Sequence, residues 1–128
     1  MPVEGFNHYN LRASREVIEE LRDFYINVVG LRLGDRPALR SFGYWLYAKD
    51  QAVLHLSLAG ENEVRPAHVM STFDHVAFSC TDLSGFEALL QARKIQFRRS
   101  QVPGTGVRQI FFPDPAGNGV ELNFGADA

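Results

Sequence analysis

The sequence contains a single cysteine, Cys80, among its 128 residues. One cysteine excludes an internal disulfide, and a reducing compartment is the simpler setting for such a chain. Alternation places Cys80 on the apolar side of a predicted strand, where a small thiol usually serves as core packing. We therefore interpret Cys80 as a core residue and not as a nucleophile.

Long apolar runs and concentrated positive charge are also missing. No stretch approaches the roughly 20 consecutive apolar residues of a membrane span, and the N-terminal region lacks the charged start and apolar run of a signal peptide. Basic residues are scattered along a chain whose formal net charge is -2, whereas phosphate binding needs a concentrated basic face. We therefore expect a cytoplasmic protein with neither nucleic acid nor a membrane as its partner.

The length and the composition, 45% hydrophobic and 22% charged, are typical of one soluble globular domain with a real core.

An internal repeat organises this chain. The run Phe-Asp-His75-Val-Ala-Phe nearly copies an earlier run, Phe-Asn-His8-Tyr-Asn-Leu, at a shift of 67 residues (75 minus 8). His8 is followed by His55 after 47 residues (55 minus 8), and His75 is followed by Glu121 after 46 (121 minus 75). A repeat this long is one supersecondary unit copied once. It predicts two modules, each with a metal-competent side chain near its start and another near its end.

Hydrophobic periodicity predicts the same order of elements, β-α-β-β-β, in both modules. Module one, at about 5–59, has predicted strands at 5–11, 31–36, 42–47 and 52–58, and a helix from Ser14 to Val29 that Gly30 ends. Residues 60–72 are polar and aperiodic, which predicts a linker. Module two, at 73–124, has predicted strands at 73–79, 95–99, 107–112 and 118–124, and a helix at 83–93 capped by Thr81 or Asp82. The turn-forming run at 113–119 predicts a hairpin between the last two strands.

Each candidate ligand is predicted to lie opposite the apolar side of its strand, because successive side chains of a strand point to opposite faces. The alternation is clear around His55, His75 and Glu121, and less clean around His8. If helices cover the apolar faces, the opposite faces can curve around one cleft and gather all four side chains. A lone strand histidine of this kind is usually a solvated surface residue. The joint placement at matching points of a repeat nevertheless favours a shared site.

Imidazole and carboxylate ligands together suit the borderline divalent ions Fe²⁺, Mn²⁺, Co²⁺, Ni²⁺ and Zn²⁺. A triad of His8, His75 and Glu121 leaves coordination positions open for a substrate with two adjacent oxygens, and the ion then acts as a Lewis acid that stabilises an oxyanion. His55 has two interpretations, a fourth metal ligand or a general base that titrates near neutral pH. We therefore predict one divalent metal ion as the cofactor, with Glu121 and His55 as the catalytic residues.

Other side chains are expected to bind the substrate. Four polar residues share the predicted cleft face and could orient a polar molecule: Asn10, Ser57, Ser79 and Asn123. Arg108 is predicted either to bind an anionic group or to be an exposed edge arginine. In the third strand, alternation sends Trp45 and Tyr47 to one face and Tyr44 to the other, and it does not decide which face meets the cleft.

Three motifs carry a resemblance to a known family. They are the paired strand starts Phe-Asn-His8 and Phe-Asp-His75, the helix end Phe24-Tyr25…Val29-Gly30-Leu31, and the run Phe112-Pro113-Asp114-Pro115…Gly117-Asn118…Val120-Glu121-Leu122. With these motifs, residues 5 to 124 resemble the vicinal oxygen chelate (VOC) superfamily, which includes glyoxalase I, extradiol catechol dioxygenases, fosfomycin-resistance enzymes and bleomycin-resistance proteins. The resemblance implies one α+β domain over residues 1–128. Two tandem βαβββ modules would form a U-shaped, incomplete eight-stranded barrel around a divalent metal, with the helices on the outside.

The ligand positions of the superfamily fall on His8, His55, His75 and Glu121, so the resemblance favours a ligand role for His55. Bacterial glyoxalase I has a glutamate where this chain has His55, whereas His8, His75 and Glu121 match the triad of extradiol dioxygenases and fosfomycin-resistance enzymes. The resemblance therefore implies a metal-dependent lyase, isomerase or ring-cleaving dioxygenase acting on a small oxygen-rich molecule. A drug- or metabolite-binding protein of the bleomycin-resistance type is the alternative. A homodimer, with sites that can be shared between chains, is also implied.

Overall fold

The computed structural model describes residues 1–126, which form two compact units. Unit 1 spans Met1–Ala67, and unit 2 begins at His68. The boundary lies within the predicted linker, residues 60–72, and each unit contains one copy of the sequence repeat. That the two modules form a single domain over residues 1–128 stays a prediction.

Unit 1 is a four-stranded mixed sheet with one helical segment. Its elements are β1 (Tyr9–Ala13), α1 (Arg15–Phe24) with a π-helical turn (Tyr25–Val29), β2 (Arg32–Gly34), β3 (Gly43–Ala48) and β4 (Gln51–Leu58). The strand order across the sheet is β1-β4-β3-β2. β1 runs parallel to β4, and the other pairs are antiparallel. β4 is therefore a central strand whose side chains lie between those of β1 and β3.

The helical segment of unit 1 has the ends that the sequence predicts. Ser14 is the N-cap, and its side-chain oxygen accepts a hydrogen bond from the backbone N–H of Val17 at 3.4 Å. Ile18 and Leu21 are fully buried, and α1 packs against β4. Gly30 ends the segment with a left-handed φ of 96°, which glycine adopts without strain. The apolar stripe of α1 therefore covers one face of this sheet.

Unit 2 repeats this architecture. Its elements are β5 (His75–Cys80), α2 (Leu83–Ala92), β6 (Arg98–Gln101), β7 (Arg108–Pro113) and β8 (Gly119–Phe124). The strand order is β5-β8-β7-β6, with β5 parallel to β8. Phe86 of α2 packs edge-on against Phe124 of β8, with 5.9 Å between the ring centroids. The α+β fold of two tandem βαβββ modules is therefore confirmed. No helix within residues 1–126 combines the length and the apolar character needed to cross a membrane.

Asp82, and not Thr81, caps α2. The Asp82 side chain accepts a hydrogen bond from the backbone N–H of Gly85 at 3.1 Å. A Cβ atom at Gly85 would lie 2.1 Å from Oδ2 of Asp82, so the missing side chain is what permits this cap. Leu90 of α2 is fully buried.

The turn before β8 is built around the buried carboxylate of Asp114. Its Oδ1 accepts hydrogen bonds from the backbone N–H groups of Ala116 at 2.8 Å and Asn118 at 2.9 Å. The side-chain amide of Asn118 donates to Oδ2 at 3.0 Å, and Gly117 supplies a positive φ of 89°. These bonds close the predicted hairpin and hold β8 in register with β7.

Two strands begin at least three residues later than predicted. β1 begins at residue 9 and not at residue 5, because the side chain of Gln51 donates to the backbone carbonyls of Phe6 and Asn7, which then make no strand ladder. β6 begins at residue 98 and not at residue 95, because Lys94 turns the chain out of α2 with a left-handed φ of 58°. Both differences arise from local contacts that hydrophobic periodicity does not register.

Candidate functional site

In unit 1 the two predicted ligands lie side by side. β1 and β4 are parallel, and Asn10 is the register partner of His55. His8, just before β1, therefore reaches the ring of His55. The two imidazole rings stack with 3.7 Å between their centroids and 13° between their planes. The parallel pairing of the first and last strands is thus what brings His8 and His55 into contact.

Trp45 lies on the other side of His55. It is the register partner of His55 on β3, and the indole and imidazole rings stack at 4.0 Å and 10°. Since β4 lies between β1 and β3, His8, His55 and Trp45 form a three-ring stack, called the ring stack below. Trp45 of β3 therefore lies on the same face of the sheet as His55, a point that the alternation in the sequence leaves open. Tyr44 lies on the helix-covered face, where Nη1 of Arg22 donates to its hydroxyl at 2.8 Å.

The surroundings of His55 favour its neutral form. Its Nε2 lies 3.1 Å from the carbonyl oxygen of Ala52, which can only accept, so Nε2 carries the proton and Nδ1 has the lone pair. Burial, then His8, then the positive charge of Arg36 lower the pKa of His55 below its ordinary value of 6.5. Neutral imidazole is the form that binds a metal or accepts a proton. Both predicted roles of His55 are compatible with this state.

Asn10 and Ser57 share the face of the ring stack. Oγ of Ser57 donates to Oδ1 of Asn10 at 2.9 Å. Ser57 is buried, whereas Asn10 is exposed. The predicted substrate-binding residues of unit 1 are therefore neighbours of its two histidines, and Asn10 is the more accessible of them.

In unit 2 the two predicted ligands are within hydrogen-bond distance. Nε2 of His75 lies 3.1 Å from Oε1 of Glu121. His75 opens β5, and Ala77, two residues further on, is the register partner of Glu121 on β8. The side chain of His75 is 35% exposed and that of Glu121 only 6%. The pair therefore combines an accessible imidazole with a buried carboxylate.

Two amide side chains hold this buried carboxylate. Nε2 of Gln109 donates to Oε2 of Glu121 at 3.1 Å, and Nδ2 of Asn123 donates to the same oxygen at 2.9 Å. These donors replace the water that an ionised carboxylate loses on burial. Asn123 is among the residues predicted from the sequence, whereas Gln109 is not. The available signal is the alternation along β7, which puts Gln109 and Phe111 on the face of Glu121.

The residue before each strand-start histidine orients its ring. Oδ1 of Asn7 lies 2.7 Å from Nδ1 of His8, and Oδ2 of Asp74 lies 2.7 Å from Nδ1 of His75. An oxygen acceptor at Nδ1 fixes the ring and leaves Nε2 for another partner, as is usual for metal-binding histidines. Neither Asn7 nor Asp74 is among the site residues predicted from the sequence. Their signal lies in the repeat itself, as an oxygen-bearing side chain directly before each histidine.

An open cavity of about 270 Å³ adjoins His75. Asp74, His75, Arg98 and Phe111 are among the residues that line it. The ring of Phe111 meets the ring of His75 edge-on at 5.4 Å between centroids, and the guanidinium of Arg98 lies 4.4 Å from the Phe111 centroid. A small molecule in this cavity would meet an imidazole, an aromatic ring and a positive charge.

Comparison with known families identifies the chain. The family model of the Glyoxalase/Bleomycin resistance protein/Dioxygenase superfamily matches residues 5–122. The chain belongs to this superfamily. The VOC resemblance inferred from the sequence motifs is therefore confirmed.

Solved structures of the same fold cover nearly the whole VOC chain. A glyoxalase family protein from Bacillus anthracis has a TM-score of 0.72 at 22% identity, over 98% of this chain and 98% of that one. TnmS3, an antibiotic binding protein from Streptomyces sp. CB03234, has a TM-score of 0.68 at 23% identity, over 98% of each chain. The fosfomycin resistance protein FosX from Listeria monocytogenes, in complex with Mn(II) and a sulfate ion, has a TM-score of 0.68 at 15% identity, over 97% of this chain and 94% of that one. Among curated protein sequences, none matches this chain significantly. At these identities the likeness establishes a common fold.

The VOC superfamily contains both metalloenzymes and antibiotic-binding proteins. Membership of the superfamily is therefore compatible with either role. An assignment to one of them has to come from the side chains of this chain.

The last two predicted site residues lie on different faces of the sheet in unit 2. Ser79 is the register partner of Asn123, so it shares the face of Glu121. Arg108 is the register partner of Phe124 and lies on the α2 side. There it lines a cavity of about 310 Å³ together with Glu87. The structure therefore does not bring Arg108 to the face that carries Glu121.

Each unit brings together two of the four predicted metal ligands of this VOC protein. Within residues 1–126, no group of three or more His, Cys, Asp or Glu side chains is arranged to hold a metal ion. The donor set itself fits a borderline divalent ion, because both strand-start imidazoles are oriented at Nδ1 and the carboxylate is held at one oxygen. A single site formed by His8, His55, His75 and Glu121 stays a prediction.

Proposed function

We propose that this VOC protein is a divalent-metal-dependent enzyme that acts on a small oxygen-rich molecule by chelation and by stabilisation of an oxyanion. The observation that carries the proposal is the common orientation of the two strand-start histidines. In His8 and in His75, Nδ1 meets a side-chain oxygen of the preceding residue at 2.7 Å, which leaves Nε2 to act as the metal-binding nitrogen. In His75 this Nε2 faces Oε1 of Glu121, the other proposed ligand of unit 2, at 3.1 Å. A solvated surface histidine does not require an oxygen-bearing side chain at the preceding position, and this chain has one in both halves of the repeat.

The proposed metal ligands are His8, His75 and Glu121, with His55 as the fourth. Their imidazole nitrogens and carboxylate oxygen suit Fe²⁺, Mn²⁺, Co²⁺, Ni²⁺ or Zn²⁺, and FosX, which has the same fold, contains Mn(II) in its structure. Such an ion, when bound, supplies Lewis acidity that stabilises negative charge on the oxygens of the substrate.

The side chains of the protein bind the substrate and move its proton. Glu121 and His55 are the proposed proton acceptors, because one is a carboxylate and the other is an imidazole whose pKa lies below 6.5. A base of lowered pKa is unprotonated at neutral pH and therefore ready to accept a proton. The proposed hydrogen bonds that orient the substrate come from four uncharged polar side chains, Asn10, Ser57, Ser79 and Asn123.

Metal removal tests this proposal. Freshly purified protein is analysed for bound metals and assayed with hemithioacetals, for lyase or isomerase activity, and with catechols under air, for oxidoreductase activity of the dioxygenase type. The assays are repeated after a chelator and after each ion is added back. We expect turnover of one substrate class that the chelator abolishes and one of the ions restores.

The matched control is Glu87→Gln, since Glu87 pairs with Arg99 on the α2 side of the sheet. This variant should keep the metal and the activity. Turnover that persists without any metal, or no turnover of either class with any ion, contradicts the proposal.

The variant His55→Ala separates the two roles of His55. If His55 is a ligand, the variant loses metal in proportion to its activity. If His55 is a base, the variant keeps its metal, loses kcat, and loses the acid limb of the pH–rate profile. Full metal content together with an unchanged pH–rate profile contradicts both roles.

A binding role without catalysis is the second candidate, and the ring stack favours it. Trp45 and His55 stack at 4.0 Å, and flat rings beside polar side chains suit a planar aromatic ligand. TnmS3, an antibiotic binding protein, has the same fold. Tight binding of an aromatic antibiotic that neither a chelator nor His75→Ala weakens would favour this candidate over the enzyme.

The proposed assembly is a homodimer, and the proposed location is the cytoplasm. Three apolar side chains at the start of unit 2 are exposed in the single chain, Met70 by 98%, Val69 by 63% and Phe73 by 45%, which suits contact with a second copy. Cys80 is a free cysteine, and burial raises its pKa to about 11, which fits an unreactive thiol in a reducing compartment. Light scattering should give twice the mass of the chain, and a monomer at all concentrations contradicts the assembly.

A further inference from the structure

Arg36 is a positive charge without a negative partner in unit 1. It lies in the loop between β2 and β3 and is half-buried. Its Nε is inaccessible to solvent and has no hydrogen-bond partner among residues 1–126. Its Nη2 donates to Oγ of Ser41 at 3.2 Å, and no carboxylate in the described part of the chain forms an ion pair with it. The guanidinium therefore has N–H groups that donate no hydrogen bond within the described part of the chain.

The guanidinium packs against the beginning of β3. A Cβ atom at Gly43 would lie 3.2 Å from Nη2 of Arg36, so the missing side chain lets the guanidinium come close to the strand. Gly43 is the register partner of Ser57 and lies two residues from Trp45, which places it on the face of the ring stack. Arg36 is therefore a neighbour of the ring stack.

Holding such a group without a counter-charge is costly. A partly buried cation loses hydration, and in most proteins an ion pair with a carboxylate compensates for this loss. Other arginines of unit 1 follow this rule: Arg12 meets Glu63 at 2.8 Å, and Arg22 meets Asp23 at 2.9 Å. Arg36 departs from it at the one place in unit 1 where the predicted site residues gather.

We propose that Arg36 binds an anionic oxygen group of the substrate, a carboxylate or a phosphate, and so positions the substrate beside His55. A guanidinium is planar and offers parallel N–H donors that match two oxygens of such a group. The inference rests on the proposed function, since the anionic group belongs to the molecule that is processed there. Binding of the anion by Arg36 itself requires no metal.

The test is a titration of the full-length protein after chelator treatment, followed by ¹H–¹⁵N NMR at constant salt. The probes are benzoate, phenyl phosphate and the neutral analogue benzamide. The Nε–H resonance of Arg36 is assigned by its absence from the spectrum of Arg36→Gln. We expect at least one of the two anions to shift this resonance and the amide of Gly43, and benzamide to leave both unchanged. The anion that binds more tightly identifies the group as carboxylate or phosphate.

The variants make the test specific. Arg36→Gln should weaken binding of the anion by at least about tenfold, because a charge-assisted hydrogen bond is lost. Arg40→Gln changes an exposed arginine of the same loop and should stay within about twofold, as expected for a surface charge. Arg36→Gln should also melt close to the wild type, because the buried Nε has no hydrogen bond to lose and the bond that Nη2 makes to Ser41 is exposed to solvent. If it fails to fold, Arg36→Lys decides, because it keeps the charge, loses the planar pair of donors and should bind the anion more weakly than the wild type.

The inference is overturned if neither anion shifts the Arg36 resonance, or if the folded Arg36 variant binds the anion as tightly as the wild type. These outcomes are separate from failure of the proposed function. Anion binding without metal-dependent turnover removes the enzyme and leaves the anion site. Metal-dependent turnover without anion binding removes the anion site and leaves the enzyme.

Discussion

The two units share one backbone plan but pair their candidate ligands through different chemistry. In unit 2, His75 and Glu121 meet through hydrogen-bonding atoms at 3.1 Å. In unit 1, His8 and His55 meet through their ring faces at 3.7 Å. The strand pairing is the same in both units, a parallel first and last strand. The difference therefore comes from the side chain at the second ligand position.

That one side chain determines its surroundings. The carboxylate of Glu121 is buried among amide donors, because a buried negative charge needs hydrogen bonds. The imidazole of His55 lies between aromatic rings, because a neutral ring gains from stacking. Unit 2 thus offers an imidazole beside a buried, oriented carboxylate, whereas unit 1 offers two stacked imidazoles near the cation Arg36. If the proposed metal site forms, we expect unit 2 to contribute most of the affinity for the metal and unit 1 to contribute more to binding of the substrate.

The largest effect is expected for Glu121→Gln, which removes the only charged ligand of the proposed set. Binding of Mn²⁺, measured by calorimetry, should weaken by more than about 100-fold, beyond the range for residues that merely orient a ligand. Glu87→Gln is the control, since Glu87 lies on the α2 side of the same sheet and pairs with Arg99. Equal affinities of the two variants would remove unit 2 as the metal-binding half.

A somewhat smaller effect is expected for the strand-start histidines. His75→Ala and His8→Ala should each weaken Mn²⁺ binding by about 100-fold, the upper end of the range for residues that only orient a ligand, with His75→Ala the more severe because it also removes the partner of Glu121. His68→Ala, in the predicted linker, should leave the affinity unchanged. If only one of the two strand-start variants has an effect, the two units do not contribute to one metal site.

The residues that orient these histidines should show a graded effect. Asp74→Ala should weaken Mn²⁺ binding by about tenfold, and Asn7→Ala by less, because a carboxylate holds a metal-bound imidazole more strongly than an amide does. Competition with a chromogenic chelator can measure both. The reverse order would contradict the inferred dominance of unit 2.

The smallest effect concerns stability and pH. The pKa of His55 is lower in the folded protein than its ordinary value of 6.5, so between the two values the unfolded chain binds more protons. The contribution of His55 to the free energy of unfolding is therefore present above about pH 6.5 and is lost as the pH falls through the folded pKa. Urea unfolding of wild type and of His55→Phe, which keeps an aromatic ring, should show a shallower loss for the variant on acidification. Identical pH dependence would mean that His55 is not held in its neutral form.

Much of the fold is predictable because it depends on short-range rules. The repeat around His8 and His75 predicts two modules, and the cap at Ser14 and the stop at Gly30 predict the helical segment of unit 1. The starts of β1 and β6 are not predictable in this way. They depend on the Gln51 side chain bonding backbone carbonyls and on Lys94 leaving α2, which are single contacts and not patterns.

The candidate site is predictable in its donor residues and not in their partners. Alternation selects His55, Ser57, Glu121 and Asn123 for the faces where they lie, but it cannot say that Trp45 stacks on His55 or that Gln109 binds Glu121. Those contacts join neighbouring strands, and their register has to be known first. Arg108 shows the same limit in reverse, since only the register with Phe124 places it on the α2 side. Arg36 lies in a loop directly before Pro37, so the hydrophobic periodicity of helices and strands does not indicate its position.

The sequence by itself determined the duplicated α+β plan, the superfamily, and which imidazoles and carboxylate stand at equivalent points of the two halves. These follow from patterns within one strand, one helix or one turn, where each residue acts through its own preferences. The tertiary structure alone decided that one pair stacks and the other hydrogen-bonds, and that a guanidinium without a counter-charge lies near the stacked pair. Such features depend on which strands lie side by side and how far each is displaced, because hydrogen bonds and ring stacking act only over a few ångströms.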